Sequence, residues 1–340
     1  MKDTKNVVLK GINYDAGTDY DGHLSREILN EATVRKEIQV IKDVLHCNCV
    51  QIYGSDIGRL AMCAKEALVQ GLFVWLQPRL INSTPRKMLD HLVQVAMIAE
   101  RLRTQHQKIV LNAGCELSIF MSGILPGYGF SQRALSLALI WPFLPLFNRK
   151  LNRHLQKALA TAKKHFDGQV SYSAGIWEDI DWRGFDFVGL NYYREASNQK
   201  TYVNDLRSFH RFNKPIVITE FGCCCYEGAD MKGGSGDDIV DWSKLPPKLK
   251  KTYKRNEMVQ ADYVIDLLKI FDSENVYGAF VFEFIEPSYP YSPDALMDLD
   301  MASYGIVKRR SIDLNAKPDG DFWEPKLAFT EISKLYGDGA

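Results

Sequence analysis

The chain has 340 residues, 46% of them hydrophobic, which is ample for a large core. Its 42 basic and 42 acidic side chains cancel, so the totals carry no electrostatic footprint of a nucleic-acid partner. Seven cysteines cannot all pair within one chain, and the charged start MKDTKNVVLK does not read as a signal peptide. Together these predict a reducing, cytoplasmic setting.

Short apolar runs alternate with helical patterns. VVLKGIN (7–13) is the first predicted strand. Ile28, Val34, Ile38, Ile41 and Leu45 then mark an amphipathic helix over 28–46. A second strand at 49–53 ends at Gly54, followed by a helix at 57–69. The third strand, 72–77, precedes a helix that starts near Ser83 or Thr84, with Pro85 in its first turn. The fourth, 108–114, delivers Glu116. Residues 117–149 make an unusually long and apolar connection. Within it, ALSLALIWPFLPLF (134–147) is too short and too proline-interrupted for a membrane span, and reads as a buried helix and loop. A hydrophobic lid, an acceptor site or a subunit contact is the alternative reading.

A helix near 150–166 leads to a fifth strand at 169–176. FDFVGLNYY supplies the sixth (186–191) and Pro215–Thr219 the seventh. The Gly- and Asp-rich YEGADMKGGSGDD that follows reads as a flexible loop. A helix near 254–272, an eighth strand in VYGAFVFEF and a last helix near 323–335 complete the pattern. Eight β-branched runs separated by helices predict a (β/α)8 TIM barrel as one domain over 1–340, with long strand-tip loops at 117–149 and 223–250. An open dinucleotide-binding sheet is the runner-up, and no G-x-G-x-x-G turn supports it.

In a barrel, function gathers at the C-terminal strand tips. The tips here carry Asn13 to Asp15, Tyr53, Gln77 to Arg79, Glu116, Trp177 and Glu178, Asn191 to Arg194, Glu220, and the last-strand residues Glu283, Phe284 and Glu286. Two glutamates ending apolar runs, Glu116 and Glu220, form a candidate acid and nucleophile for glycoside cleavage. The run Cys223, Cys224 and Cys225 lacks the C-x-x-C spacing of a zinc site and reads as small buried thiols. No cofactor and no metal are expected.

The layout resembles the clan of retaining glycoside hydrolases built on the eight-stranded barrel, the cellulase-like and mannanase-like enzymes, over residues 7–335. AGCE at the fourth tip resembles the acid/base segment. ITEFG at the seventh resembles the nucleophile segment, and DFVGLNYY the sixth-strand segment that supplies an aromatic hydroxyl. The resemblance implies Glu116 as acid/base, Glu220 as nucleophile, and Tyr192 or Tyr193 as the group orienting Glu220. It also implies Phe282 or Phe284 in place of a Trp platform, with Tyr53, Trp75 and Trp177 as pocket walls. Asp15, Gln77, Arg79, Glu178, Asn191, Arg194 and Glu286 are further candidate substrate contacts.

Two positions depart from the clan pattern. Cys115 stands where an Asn normally contacts the sugar 2-hydroxyl, and Gln51 where the second strand normally supplies an Arg. The implied activity is retaining hydrolysis of a small β-linked glycoside or oligosaccharide. Transglycosylation, another acid/base reaction and a non-catalytic carbohydrate-binding role are the alternatives. The sequence leaves the oligomeric state open.

Overall fold

The computed structural model describes residues 7–309 and 323–337. The first six residues of the charged N-terminal segment lie outside that range. Eight parallel strands close into a barrel: β1 (Leu9–Asp15), β2 (Cys49–Gly54), β3 (Phe73–Pro78), β4 (Ile109–Cys115), β5 (Val170–Gly175), β6 (Val188–Asn191), β7 (Ile216–Phe221) and β8 (Gly278–Val281). β8 closes on β1 in the register Leu9–Gly278 through Ile12–Val281. The architecture is the (β/α)8 TIM barrel read from the sequence.

Helices α1 (Glu31–Asp43), α2 (Ile57–Val69) and α3 (Pro85–His106) follow the first three strands. Side-chain caps fix where they begin. Asn30 accepts from the Thr33 amide at 3.0 Å, Asp56 from that of Arg59 at 2.8 Å and Thr84 from that of Lys87 at 3.4 Å. Pro85 occupies the first turn of α3, where a missing amide hydrogen costs nothing.

After β4 come the single turn α4 (Leu117–Phe120), then α5 (Phe130–Ile140) and α6 (Leu144–His165). α6 starts six residues before the predicted position, because the turn around Pro142 and Pro145 leads directly into it. Among the described residues no helix separates β5 from β6. Instead Trp182 and Phe185 fold back on Tyr172, with ring centroids 6.5 and 6.4 Å away. α7 (Tyr202–Ser208), α8 (Glu257–Ser273) and α9 (Leu327–Gly337) complete the outer layer.

Two expectations are corrected. The apolar stretch 134–147 is helix and turn, but it is not buried: Leu135, Leu139, Trp141, Phe143 and Leu146 all stand exposed. The segment after β7 is not an open loop. It forms tight helical turns and a short antiparallel pair, Val240–Asp241 with Lys248–Leu249. The Tyr304 hydroxyl anchors it, donating to the Gly233 carbonyl at 2.7 Å and accepting from the Gly236 amide at 2.8 Å.

Candidate active site

The barrel interior is stacked in tiers. At the floor, Trp75 packs edge-on to Phe187, with centroids 4.8 Å apart, and lies 5.6 Å from Phe280. Trp75 is fully buried there, so it is a core residue and not a pocket wall. Strand alternation explains this: Trp75, Gln77 and Arg79 climb one face of β3 from floor to mouth, two residues per step.

The middle tier is a ring of amides and hydroxyls. Asn13 donates to the Thr219 carbonyl at 2.9 Å, and Gln51 to Asn13 Oδ1 at 2.6 Å. Gln77 and Asn112 both donate to Ser173 Oγ, at 3.1 and 2.6 Å. Thr219 donates to Asn191 Oδ1 at 2.8 Å. Partners on other strands of the barrel are what make a buried polar layer tolerable, and among these groups Gln51 Oε1 is left without one.

At the mouth the layer becomes charged. Arg79 pairs with Glu220 and is shared with Gln77 Oε1 at 2.7 Å. Its guanidinium lies 4.0 Å from the centre of the Tyr53 ring. The cation beside the β7 glutamate therefore comes from the end of β3. The second-strand position expected to hold it, Gln51, is occupied with the amide ring below. Arg79 also donates to Cys115 Sγ at 3.4 Å, Asn191 Nδ2 to the same sulfur at 3.3 Å, and the thiol reaches Glu220 Oε1 at 3.6 Å. Burial pushes the Cys115 thiol well up, so it sits there neutral.

Asn191 Nδ2 also donates to Glu116 Oε1 at 2.9 Å. Burial first, then the charge of Glu220, push the Glu116 carboxyl up to about 8, against a smaller lowering from the Asn191 bond. A protonated acid thus lies beside a carboxylate held by arginine. That combination can give a proton to one atom while presenting negative charge to another.

Backbone irregularities aim these groups. Thr219 faces the interior, so plain alternation would turn Glu220 toward the helices. The β7 pairings slip at this point on both sides, and Glu220 lies level with Asn191. The β4–β5 register slips between Asn112 and Cys115, where Gly114 has φ +151°. Glu116 itself holds a left-handed φ of 40°, a conformation uncommon outside glycine and frequent at working sites. The glycine of ITEFG also has a steric reason: a Cβ on Gly222 would meet the Phe282 carbonyl oxygen at 2.1 Å.

The remaining predicted residues divide. Tyr193 is half-buried at the mouth, and burial together with the charges of Glu220 and Glu116 raises its hydroxyl well above the usual range. Its neighbour Tyr192 points the other way and donates to the Tyr202 carbonyl at 2.8 Å, so it does not orient Glu220. Phe282 stacks near Tyr53, with centroids 6.0 Å apart, in the half-open position suited to a platform. Phe284 is core, packed against Trp323 and Tyr14.

Glu178 accepts from the Ser118 amide at 2.9 Å and the Tyr172 hydroxyl at 2.8 Å, bracing the turn after Glu116. Trp177 Nε1 donates to Ser118 Oγ at 2.9 Å in the same brace. Asp15 accepts from the Gly17 amide and the Ser25 hydroxyl, at 2.8 and 2.6 Å, and shapes the β1 loop. Arg194 is taken by Asp266 and stacks on Tyr263, both on α8, which withdraws it from the substrate role expected of it.

Tyr53 donates to Glu283 Oε2 at 2.6 Å, and burial holds Glu283 well above the usual carboxylate range. Glu286 accepts from the Tyr304 amide at 2.5 Å. Burial, then Asp237, push it up to about 7. Asp237 is itself pushed up to about 6 by burial and Asp238. Sequence reasoning missed Asp237 and Tyr304. Both lie far from a strand tip in the chain, and only the packing of 223–250 against the segment after β8 brings them together. The cysteines beside it are packing groups: Cys224 donates to the Ala302 carbonyl at 3.1 Å and Cys225 to that of Asp300 at 3.2 Å.

No family model and no curated protein sequence matches the chain. Solved structures do match in fold. A GH113 β-1,4-mannanase aligns with a TM-score of 0.61 at 14% identity, over 97% of this chain and 99% of its own. The GH113 β-mannanase AaManA of Alicyclobacillus acidocaldarius, in complex with ManMIm, aligns with a TM-score of 0.60 at 15% identity, over 99% of each chain. Cel5A of Thermotoga maritima, in complex with cellobiose, aligns at 0.50 and 14% identity, over 87% of this chain and 95% of that one. At such identities the likeness establishes the (β/α)8 barrel seen in these glycoside hydrolases, and chemistry has to be argued from the site.

Proposed function

We propose that the protein is a retaining glycoside hydrolase acting on a small β-linked glycoside or oligosaccharide. One observation carries the reading: a carboxyl pushed up to about 8, Glu116, is linked through Asn191 and Cys115 to a carboxylate paired with arginine, Glu220. In the first step a Glu220 oxygen attacks the anomeric carbon, and Glu116 gives its proton to the departing oxygen. Esterification removes the Glu220 charge that helped hold the Glu116 proton, so Glu116 can now act as a base. It takes a proton from water, water attacks the anomeric carbon, and Glu220 leaves as carboxylate.

Tyr193 and Asn191 border the reacting groups, and Phe282 with Tyr53 offers a ring face for the C–H side of a sugar. The preference for a β-linkage rests on the resemblance and on the likeness in fold to β-mannanases. One barrel carries the whole site in this reading, and seven free buried thiols favour a reducing, cytoplasmic setting.

The test is the anomeric configuration of the first-formed product, followed by NMR on an aryl β-glycoside panel. Retention is expected. With azide added, Glu220→Gly should give the inverted glycosyl azide and Glu116→Ala the retained one. An inverted hydrolysis product, or turnover unchanged by both substitutions, would refute the mechanism. Binding across the panel without turnover would favour a carbohydrate-binding role. Turnover of a non-glycoside that either substitution abolishes would favour another acid/base reaction.

A further inference from the structure

From the exposed crest formed by α5 and the turn into α6, we infer that this protein docks on anionic membrane surfaces. The crest is apolar where it faces solvent: Leu135 is 78% exposed, Leu139 83%, Trp141 63%, Phe143 57% and Leu146 59%. The opposite side of α5 is already used. Phe130 packs against Tyr20 and Phe120, with centroids 5.7 and 6.0 Å away. The fully buried Arg133 binds the Ile119 carbonyl and Asn82, and reaches the Gly127 carbonyl at 3.2 Å. A helix with apolar residues on both sides needs a second apolar neighbour, and none of the described residues covers this one.

Charge selects the neighbour. The whole sequence is neutral, yet no Asp or Glu occurs between Glu116 and Asp167. Within that acid-free stretch, Arg149, Lys150, Arg153 and Lys157 are exposed on α6, directly after the crest. The acidic residues that meet this part of α6 are Asp179 and Asp181. Asn152 holds their backbone, and Asp181 is already paired with Arg183. Trp, Phe and Leu at the tip with Arg and Lys on the flank is the pattern of a segment that lies in the headgroup layer of an anionic bilayer.

A symmetric contact with a second copy would set two basic flanks side by side, which the charge opposes. A perpendicular span is opposed by geometry. The apolar stretch breaks at Pro142 and Pro145, and its N-terminal part is tied to the barrel rim through Arg133. Lying flat, the crest would bring the rim of the mouth to the headgroups. This surface role stands apart from the chemistry proposed for Glu116 and Glu220.

The test is flotation of the full chain with phosphatidylcholine vesicles, with and without phosphatidylglycerol. Binding is expected only with the anionic lipid and should weaken at high salt. Two variants, Leu139→Glu/Trp141→Glu/Phe143→Glu and Arg149→Glu/Lys150→Glu/Arg153→Glu, should each lower the bound fraction by about tenfold or more. Because these side chains face solvent, both variants should keep the circular dichroism and melting temperature of the parent. Three results would overturn the inference. The first is no flotation with anionic vesicles; the second is flotation that either variant leaves unchanged. The third is concentration-dependent dimerisation, measured by sedimentation, that Leu139→Glu abolishes while vesicles are ignored.

Discussion

The mouth of the barrel and the crest beside it invert the usual rule. The mouth buries charge: Arg79, Glu220, Glu283 and their neighbours are almost wholly enclosed. The crest, in the connection that follows Glu116, exposes Leu, Trp and Phe. Each region violates simple partitioning, but for opposite reasons. Charge inside a protein is tolerable only when partners are fixed around it, and fixed partners are what shift and hold protons. Apolar surface outside is tolerable when something else covers it, so its cost is deferred to an encounter. The first inversion points to chemistry and the second to location.

The sharpest way to break this comparison is to remove the charge that does the proposed work. Glu220→Gln should lower turnover of an aryl β-glycoside by at least about a thousandfold in protein that circular dichroism shows to be folded. If turnover survives, the buried pair is structural only.

Next in size is Arg79→Met, which leaves Glu220 enclosed without its cation. A loss of about 3–5 kcal/mol in denaturant unfolding is expected, since an orphaned buried charge costs more than the pair contributes. A loss below about 1 kcal/mol would mean that water reaches Glu220 freely.

The crest should behave in the reverse manner. Leu135→Ser with Leu139→Ser should change unfolding free energy by less than about 0.5 kcal/mol per site, because neither side chain leaves a cavity. A loss comparable to a core truncation would show that the crest is covered within the folded chain.

The smallest expected effect is a slope with pH. Glu116, Glu286 and Asp237 hold protons in the folded chain up to about 8, 7 and 6. Unfolded, such carboxyls release theirs near pH 4, roughly their ordinary value. The folded state therefore binds more protons across that interval, so stability should fall as pH rises from about 5 to about 8. The melting temperature measured across that range should decline, and Asp237→Asn with Glu286→Gln should flatten the decline. A rising curve would contradict these shifts. On the activity side, kcat/KM should fall as pH rises through about 8, where Glu116 loses its proton.

The cysteines belong with the enclosed region. All seven are buried, and burial pushes the Cys115 thiol well up. Alkylation of the native protein by iodoacetamide should therefore be negligible until it unfolds, although one of these thiols touches Glu220.

Much of the fold was legible in the chain because barrel strands are buried on both faces and stand out as β-branched runs between helical patterns. The addresses of Glu116 and Glu220 were legible for the same reason: each follows such a run. What was not legible followed from local irregularity or from long-range contact. Two consecutive tyrosines, Tyr192 and Tyr193, look equivalent in sequence, yet the pleat sends one to α7 and the other to the mouth. Trp75 and Arg79 lie on one face of β3, and only their height in the barrel separates a floor residue from the cation of Glu220. The stretch 134–147 has the composition of a core helix, and composition cannot reveal that nothing packs on its second side.

The sequence by itself determined the eight-strand alternation and the two acidic strand tips, because periodicity and strand ends are local properties of the chain. Tertiary structure alone decided that slipped registers in β4 and β7 aim Cys115 and Glu220 inward, and that Arg79 replaces the expected second-strand cation. It also decided that Glu116 keeps its proton and that the apolar crest faces out. Those outcomes depend on distances between segments far apart in the chain, and on the water that closure of the barrel excludes.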